Sequence, residues 1–107
     1  DSQGHNALIT AVSKGYKDIA IILLSQQIDV NITCMHGKTA LIYAADSGYV
    51  DMVSYLLAKN ANPNIKISGG TTALLQAAGK GYYSIVETLI KANADYLESI
   101  EVETTME

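Results

Sequence analysis

Cys34 and His36 are the residues of this chain best equipped for covalent chemistry, since a cysteine next to a histidine can form a nucleophile and its base. Such a pair also needs a third group to orient it and a pocket to hold a substrate, and the sequence offers neither. Both residues fall on one turn, and a plain exposed turn is the better reading of them. Cys34 is the only cysteine, so it can form no internal disulfide and no multi-cysteine metal site. That usage fits a reducing, intracellular compartment. A zinc ion would have to be held by His5, His36 and Cys34, fewer ligands than its tetrahedral shell takes. Ser68-Gly69-Gly70-Thr71 is rich in glycine but lacks the Lys-Ser/Thr ending of a phosphate loop and follows no buried strand. The expectation is a chain that is not an enzyme and uses no metal and no cofactor.

Charge and composition narrow the class further. Residues 1–95 hold all seven Lys, all six Asp and Glu87, so this body is neutral. The whole net charge of −4 sits in residues 96–107, with Glu98, Glu101, Glu103 and Glu107. There is no Arg, and a neutral body without Arg argues against a phosphate-reading surface, so no nucleic-acid partner is expected. The longest wholly apolar run, Ile19–Leu24, is far short of the roughly 18 residues that cross a bilayer, so no membrane insertion is expected. No signal-peptide pattern opens the chain, and Asp1 in place of Met points to a processed or excised sequence. With 49% hydrophobic residues and only 17% charged, the chain should fold. Its core must be aliphatic, because Trp and Phe are absent.

The elements that position these residues repeat every 33 residues. Gly4, Gly37 and Gly70 share this spacing, as do Leu8, Leu41 and Leu74, Ala11, Ala44 and Ala77, and Gly15, Gly48 and Gly81. Tyr16, Tyr49 and Tyr82 form a ladder at the same interval, best read as packing between units rather than a stacking platform for a ligand. Each unit reads as two helices. The first starts at Asn6, Thr39 or Thr72, whose side chains can accept from free N–H groups of the first turn. It stops at Gly15, Gly48 or Gly81, where glycine takes the left-handed conformation without steric cost. The second spans about Lys17–Gln26, Val50–Lys59 and Tyr83–Ala92. Its buried stripe is Ile19, Ala20, Leu23 and Leu24 in the first unit, and ends with Ile85, Val86, Leu89 and Ile90 in the third. These helices end near Gln27, Asn60 and Asn93, and Asp29-Val30-Asn31 and Asn62-Pro63-Asn64 lead onward as turns. Ile21 aligns with Ser54 and Glu87, which places it on the outer face.

With Asp1-Ser2-Gln3-Gly4, Thr39-Ala40-Leu41, Thr72-Ala73-Leu74, Asn60-Ala61-Asn62 and Asn93-Ala94-Asp95 in these places, the sequence resembles the ankyrin-repeat family over residues 1–99. It departs from the family at the Pro of the first helix, which is Ala in all three units, and at two His positions, occupied by Ile9, Ile42 or Leu75 and by Tyr16, Tyr49 or Tyr82. Ala is tolerated at the first helical position, so the fold stands. The resemblance implies an all-α repeat solenoid of helix-turn-helix pairs joined by β-hairpin-like loops. Its units are 1–33, 34–66 and 67–99. In the same alignment Thr105 of segment 100–107 falls under Thr72, so that segment reads as the start of a fourth repeat, with an acidic tail as the alternative.

By resemblance the chain is a protein-interaction module that binds a peptide or a folded protein in a concave groove. The family's contact positions fall on His5 and Lys14 in the first unit, with Ser2, Gln3, Thr10 and Ser13. They fall on Met35, His36, Lys38, Tyr43, Asp46 and Ser47 in the second. In the third they are Gln76 and Lys80, with Ser68, Gly69, Thr71 and Gly79. Lys14, Lys38 and Lys80 give the groove a mildly positive tone that suits an acidic peptide. A structural or regulatory segment of a larger protein, such as an enzyme, channel or pathogen effector, with an intramolecular partner is the alternative. The segment ending in Asp29-Val30-Asn31 resembles the one recognised by the intracellular asparaginyl hydroxylase, which makes Asn31 a candidate hydroxylation site; the plainer reading is a turn residue bonding its own backbone. The first unit lacks polar cap-like replacements, so self-association through an uncapped end is a further expectation. The family implies a cytoplasmic location, with the nucleus as a second compartment.

Overall fold

The computed structural model describes residues 2–34, 36–67 and 69–93, with side chains from residue 7 onward. It contains α1 (Ser2–Ser13), α2 (Lys17–Leu24), α3 (Ala40–Ser47), α4 (Val50–Ala58) and α5 (Ala73–Lys80). A sixth helix, α6, covers residues 83–93. No strand occurs among the described residues. Helices pair within units as α1 with α2 and α3 with α4, and α3 lies between α1 and α5. The first helices therefore form one layer and the second helices another, the arrangement expected of a repeat solenoid.

The boundaries follow from local chemistry. Thr39 and Thr72 adopt extended backbone, and their hydroxyls accept from the amides of Ile42 at 3.2 Å and Leu75 at 3.3 Å. Each of these bonds satisfies one free first-turn donor. Gly48 ends α3 in the left-handed region, with φ of 80°, and the amide of Tyr49 closes the cap on the carbonyl of Ala44 at 3.0 Å. Asn60 occupies the left-handed position after α4, with φ of 72°, as expected of an Asn there. Between units the chain closes tight turns: the Cys34 amide bonds the Lys38 carbonyl at 3.0 Å, and the Ile67 amide bonds the Thr71 carbonyl at 2.9 Å.

The first helix starts earlier than its sequence suggests. Asn6 was the expected cap, but α1 begins at Ser2 and Asn6 lies inside it. Units two and three hold the residues before Thr39 and Thr72 in closed turns. Among the described residues no such cross-turn bond holds residues 2–5, and helical hydrogen bonding runs back through them.

The core is aliphatic and continuous across units, with Leu8, Val12, Leu41, Val53, Leu56 and Ile85 buried. Ala11, Ala44 and Ala77 are buried where first helices meet, and their small side chains permit the close approach. The tyrosine ladder has a clear packing role. A Cβ placed on Gly15 would lie 3.0 Å from Cζ of Tyr49, and one on Gly48 would lie 3.0 Å from Cζ of Tyr82. Each ring thus covers the glycine cap of the preceding unit.

Two stretches of the expected buried stripe are exposed. Ile19 is 50% exposed although its counterparts Met52 and Ile85 are buried. Ile90 is 54% exposed although its counterpart Leu24 is buried. Ile19 lies in the first unit and Ile90 in the third, so equivalent positions differ in cover from one unit to another. Ile21, expected on the outer face, is half-buried, and Ile22 beside it is exposed instead.

Candidate functional site

The exposed side of the first-helix layer is built from equivalent positions of α1, α3 and α5. It carries Thr10, Ser13 and Lys14, then Tyr43, Asp46 and Ser47, then Gln76, Gly79 and Lys80. The Cys34–Lys38 turn leads into this face, with His36 exposed and Lys38 half-buried. The side chains of Ser2, Gln3 and His5, and the whole of Met35 and Ser68, lie outside the described residues, as does segment 100–107.

Tyr43 is not a free aromatic anchor. It is half-buried against the core, and its hydroxyl lies 3.6 Å from Sγ of Cys34. Lys38 Nζ sits over the ring, 5.3 Å from its centroid, within cation–π range. The His36 backbone amide donates to Sγ of Cys34 at 3.4 Å. His36 thus meets the sulfur through its main chain, which carries no titratable proton, so this contact is not a nucleophile–base bond. Partial burial pushes the Cys34 thiol up, but the His36 amide, the Tyr43 hydroxyl and the backbone of Lys38 and of Cys34 itself outweigh it. The thiol therefore titrates below its ordinary value. The Tyr43 phenol titrates above its own, because of its hydrogen bond to Cys34, then burial, then the charge on the sulfur.

Asp46 is also engaged. Its Oδ1 accepts from Nε2 of Gln76 at 2.8 Å and lies 3.4 Å from Nζ of Lys80. The contact crosses from α3 to α5, so it joins two units and neutralises one of the three lysines assigned to the groove. Lys14 and Lys38 form no ion pair among the described residues, so the positive tone of the face is concentrated on the first two units. The sequence singled out all three residues of this network without revealing the bond between them. The signal was there: Asp46 and Gln76 are 30 apart, close to one repeat, which places them on adjacent helices.

Asn31 is placed differently from its plainer reading. Its own amide donates to Oδ1 of Asp29 at 2.9 Å, while its Oδ1 accepts from the amide of Asn62 at 2.7 Å. The side chain thus ties one inter-unit turn to the next rather than bonding its own backbone. Asn62 also fixes its own turn by accepting from the Asn64 amide at 2.8 Å. A hollow of about 780 Å³ opens beside these turns, on the second-helix side, lined by Asn31, Ser54, Leu57, Asn60, Asn62 and Ala92. Sequence reading did not anticipate it, because it forms between units where no repeated motif marks it.

Among the described residues, no group of three or more His, Cys, Asp or Glu could hold a metal ion. Among the same residues no helix is long and apolar enough to cross a membrane. In comparison with known families, the chain matches the pattern described as ankyrin repeats (3 copies), over residues 1–67 and again over residues 36–99. No curated protein matches it.

Proposed function

This chain belongs to the ankyrin-repeat family, and from that premise we propose that the first-helix face of its first two units binds an acidic peptide segment of a protein partner. Ankyrin repeats are generally protein-interaction modules and are typically non-catalytic. The observation that carries the finer reading is the distribution of cations on this face. Lys80 is answered by Asp46, whereas Lys14 and Lys38 have no carboxylate partner among the described residues. Unpaired lysines on a face built from aligned helices attract and orient an anionic chain. Thr10 and Ser47 are exposed beside them and can hydrogen-bond an extended backbone.

The test is a titration of a fluorescent peptide of alternating Glu and Ala, read by anisotropy. Replacing Lys14 and Lys38 together by Glu should weaken binding roughly tenfold or more, since each exposed charge contact is worth up to about 1 kcal/mol and reversal adds repulsion. Helical circular dichroism should be unchanged. Binding that survives the double reversal would place the site elsewhere.

A further inference from the structure

The second and third units already hold a carboxylate between them. Oδ1 of Asp46, on α3, accepts from Nε2 of Gln76 at 2.8 Å and lies 3.4 Å from Nζ of Lys80, both on α5. An amide donor and an ammonium that converge on one oxygen form a seat for a carboxylate. The side chain of Asp46 is 33% exposed and that of Lys80 51%, so the seat opens to solvent. Ion pairs in such surroundings are weak, and the occupant can be exchanged at low cost. Asp46 aligns with Ser13 in the first unit and Gly79 in the third, so repeat packing does not require a carboxylate at this position.

A second cation stands on the same face at a set distance. Nζ of Lys38 lies 5.3 Å from the centroid of the Tyr43 ring and pairs with no carboxylate among the described residues. Tyr43 and Asp46 are three apart on α3, which makes them neighbours on one helix face, about 5–6 Å apart at Cβ. Lys38, Tyr43 and the Gln76–Lys80 seat thus form a diagonal line across units two and three, roughly 15 Å from one ammonium to the other. An extended chain advances about 3.3 Å per residue and shows alternate side chains to one face. Two acidic residues four positions apart therefore span about 13 Å and point the same way, and the residue midway between them falls over the Tyr43 ring.

We propose that the ligand of this face carries two acidic residues four positions apart with an apolar residue midway between them. One carboxylate meets Lys38, the apolar side chain lies on Tyr43, and the other carboxylate takes the seat that Asp46 holds. This rests on the reading of the face as a site for an acidic peptide, adds a spacing to it and extends its footprint to the third unit. Asp46 swings to solvent as the ligand enters, so it acts as an internal competitor that sets the affinity.

Anisotropy titrations of two labelled Ser-Thr peptides of equal length test this. One has the core Glu-Ser-Leu-Ser-Glu, and the other holds the same residues as Ser-Leu-Ser-Glu-Glu. The spaced peptide should bind about fivefold more tightly, the effect of one further exposed charge contact. Lys80→Gln should erase that preference, with helical circular dichroism unchanged. Asp46→Asn should strengthen binding of the spaced peptide about two- to fivefold, and it keeps the test decisive should Lys80→Gln fold poorly. Equal affinity of the wild type for both peptides overturns the proposal, as does a preference that Lys80→Gln leaves intact. If binding of both then still falls on reversal of Lys14 and Lys38, the broader reading of the face stands. If neither of these peptides nor the Glu-Ala peptide binds, that reading falls with the proposal.

Discussion

At Cys34 the chemistry is set by what its neighbours donate. The thiol gains from the His36 amide and the Tyr43 hydroxyl, both of which favour the thiolate over the neutral form. Alkylation by iodoacetamide as a function of pH should therefore show a midpoint below that of a free cysteine. In Tyr43→Phe the phenol no longer donates, the thiolate loses a stabilising contact, and the midpoint should move up. An unchanged profile would mean that the 3.6 Å contact is not a hydrogen bond in solution. Asp46 makes a second prediction at this scale. Its carboxylate occupies the Gln76 amide and the Lys80 ammonium, as an anionic ligand group would. Asp46→Asn removes that internal counter-charge and should strengthen binding of the Glu-Ala peptide about two- to fivefold, the range of a partly exposed ion pair. Equal affinity would show that Lys80 lies outside the peptide's footprint.

At the level of the element, the glycine caps separate two effects that usually arrive together. Gly48 and Gly81 have matching left-handed backbones, with φ of 80° and 75°, but only Gly48 lies under a tyrosine ring. Gly81→Ala should cost about 1 kcal/mol, for placing a Cβ in that backbone region. Gly48→Ala should cost that and roughly 1–3 kcal/mol more, because the Tyr82 ring must be displaced from a packed position. Urea unfolding midpoints of the two variants measure the difference, and equal midpoints would show that the ring moves freely. This pairing also marks how far the sequence could be read. The 33-residue spacing of Gly and Tyr announced repeat packing, because identical spacing means identical surroundings in every unit. It could not reveal that the ring lies on the glycine, a contact between residues 34 apart that only the stacking angle brings together. Likewise Thr39 and Thr72 were legible as caps because the bond is local. Asn6 was not, since where α1 starts depends on what holds the residues before it. Lys14 and Lys38, which pair with no carboxylate among the described residues, and the hydrogen-bonded Tyr43 and Asp46 belong to residue types that looked alike as contact candidates. What separates them is side-chain bonding, of Tyr43 to Cys34 within its unit and of Asp46 to Gln76 across units, which residue type alone does not announce.

Across the whole molecule, stability should follow position in the stack. Each unit contacts only its neighbours, so a unit covered on both sides gains two interfaces and an end unit one. In the middle unit Met52, Val53 and Leu56 of α4 are all buried. In α2 only Ala20 and Leu24 are, and Ile19 and Ile22 stand in solvent. Local opening of α2 therefore exposes less apolar surface than opening of α4. Native-state hydrogen exchange at low protein concentration should show the amides of α2 exchanging faster than those of α4, by about tenfold for each 1.4 kcal/mol of difference in opening energy. Exchange that is uniform along the chain would mean that the units open together, and that the lesser apolar burial of α2 does not set its stability.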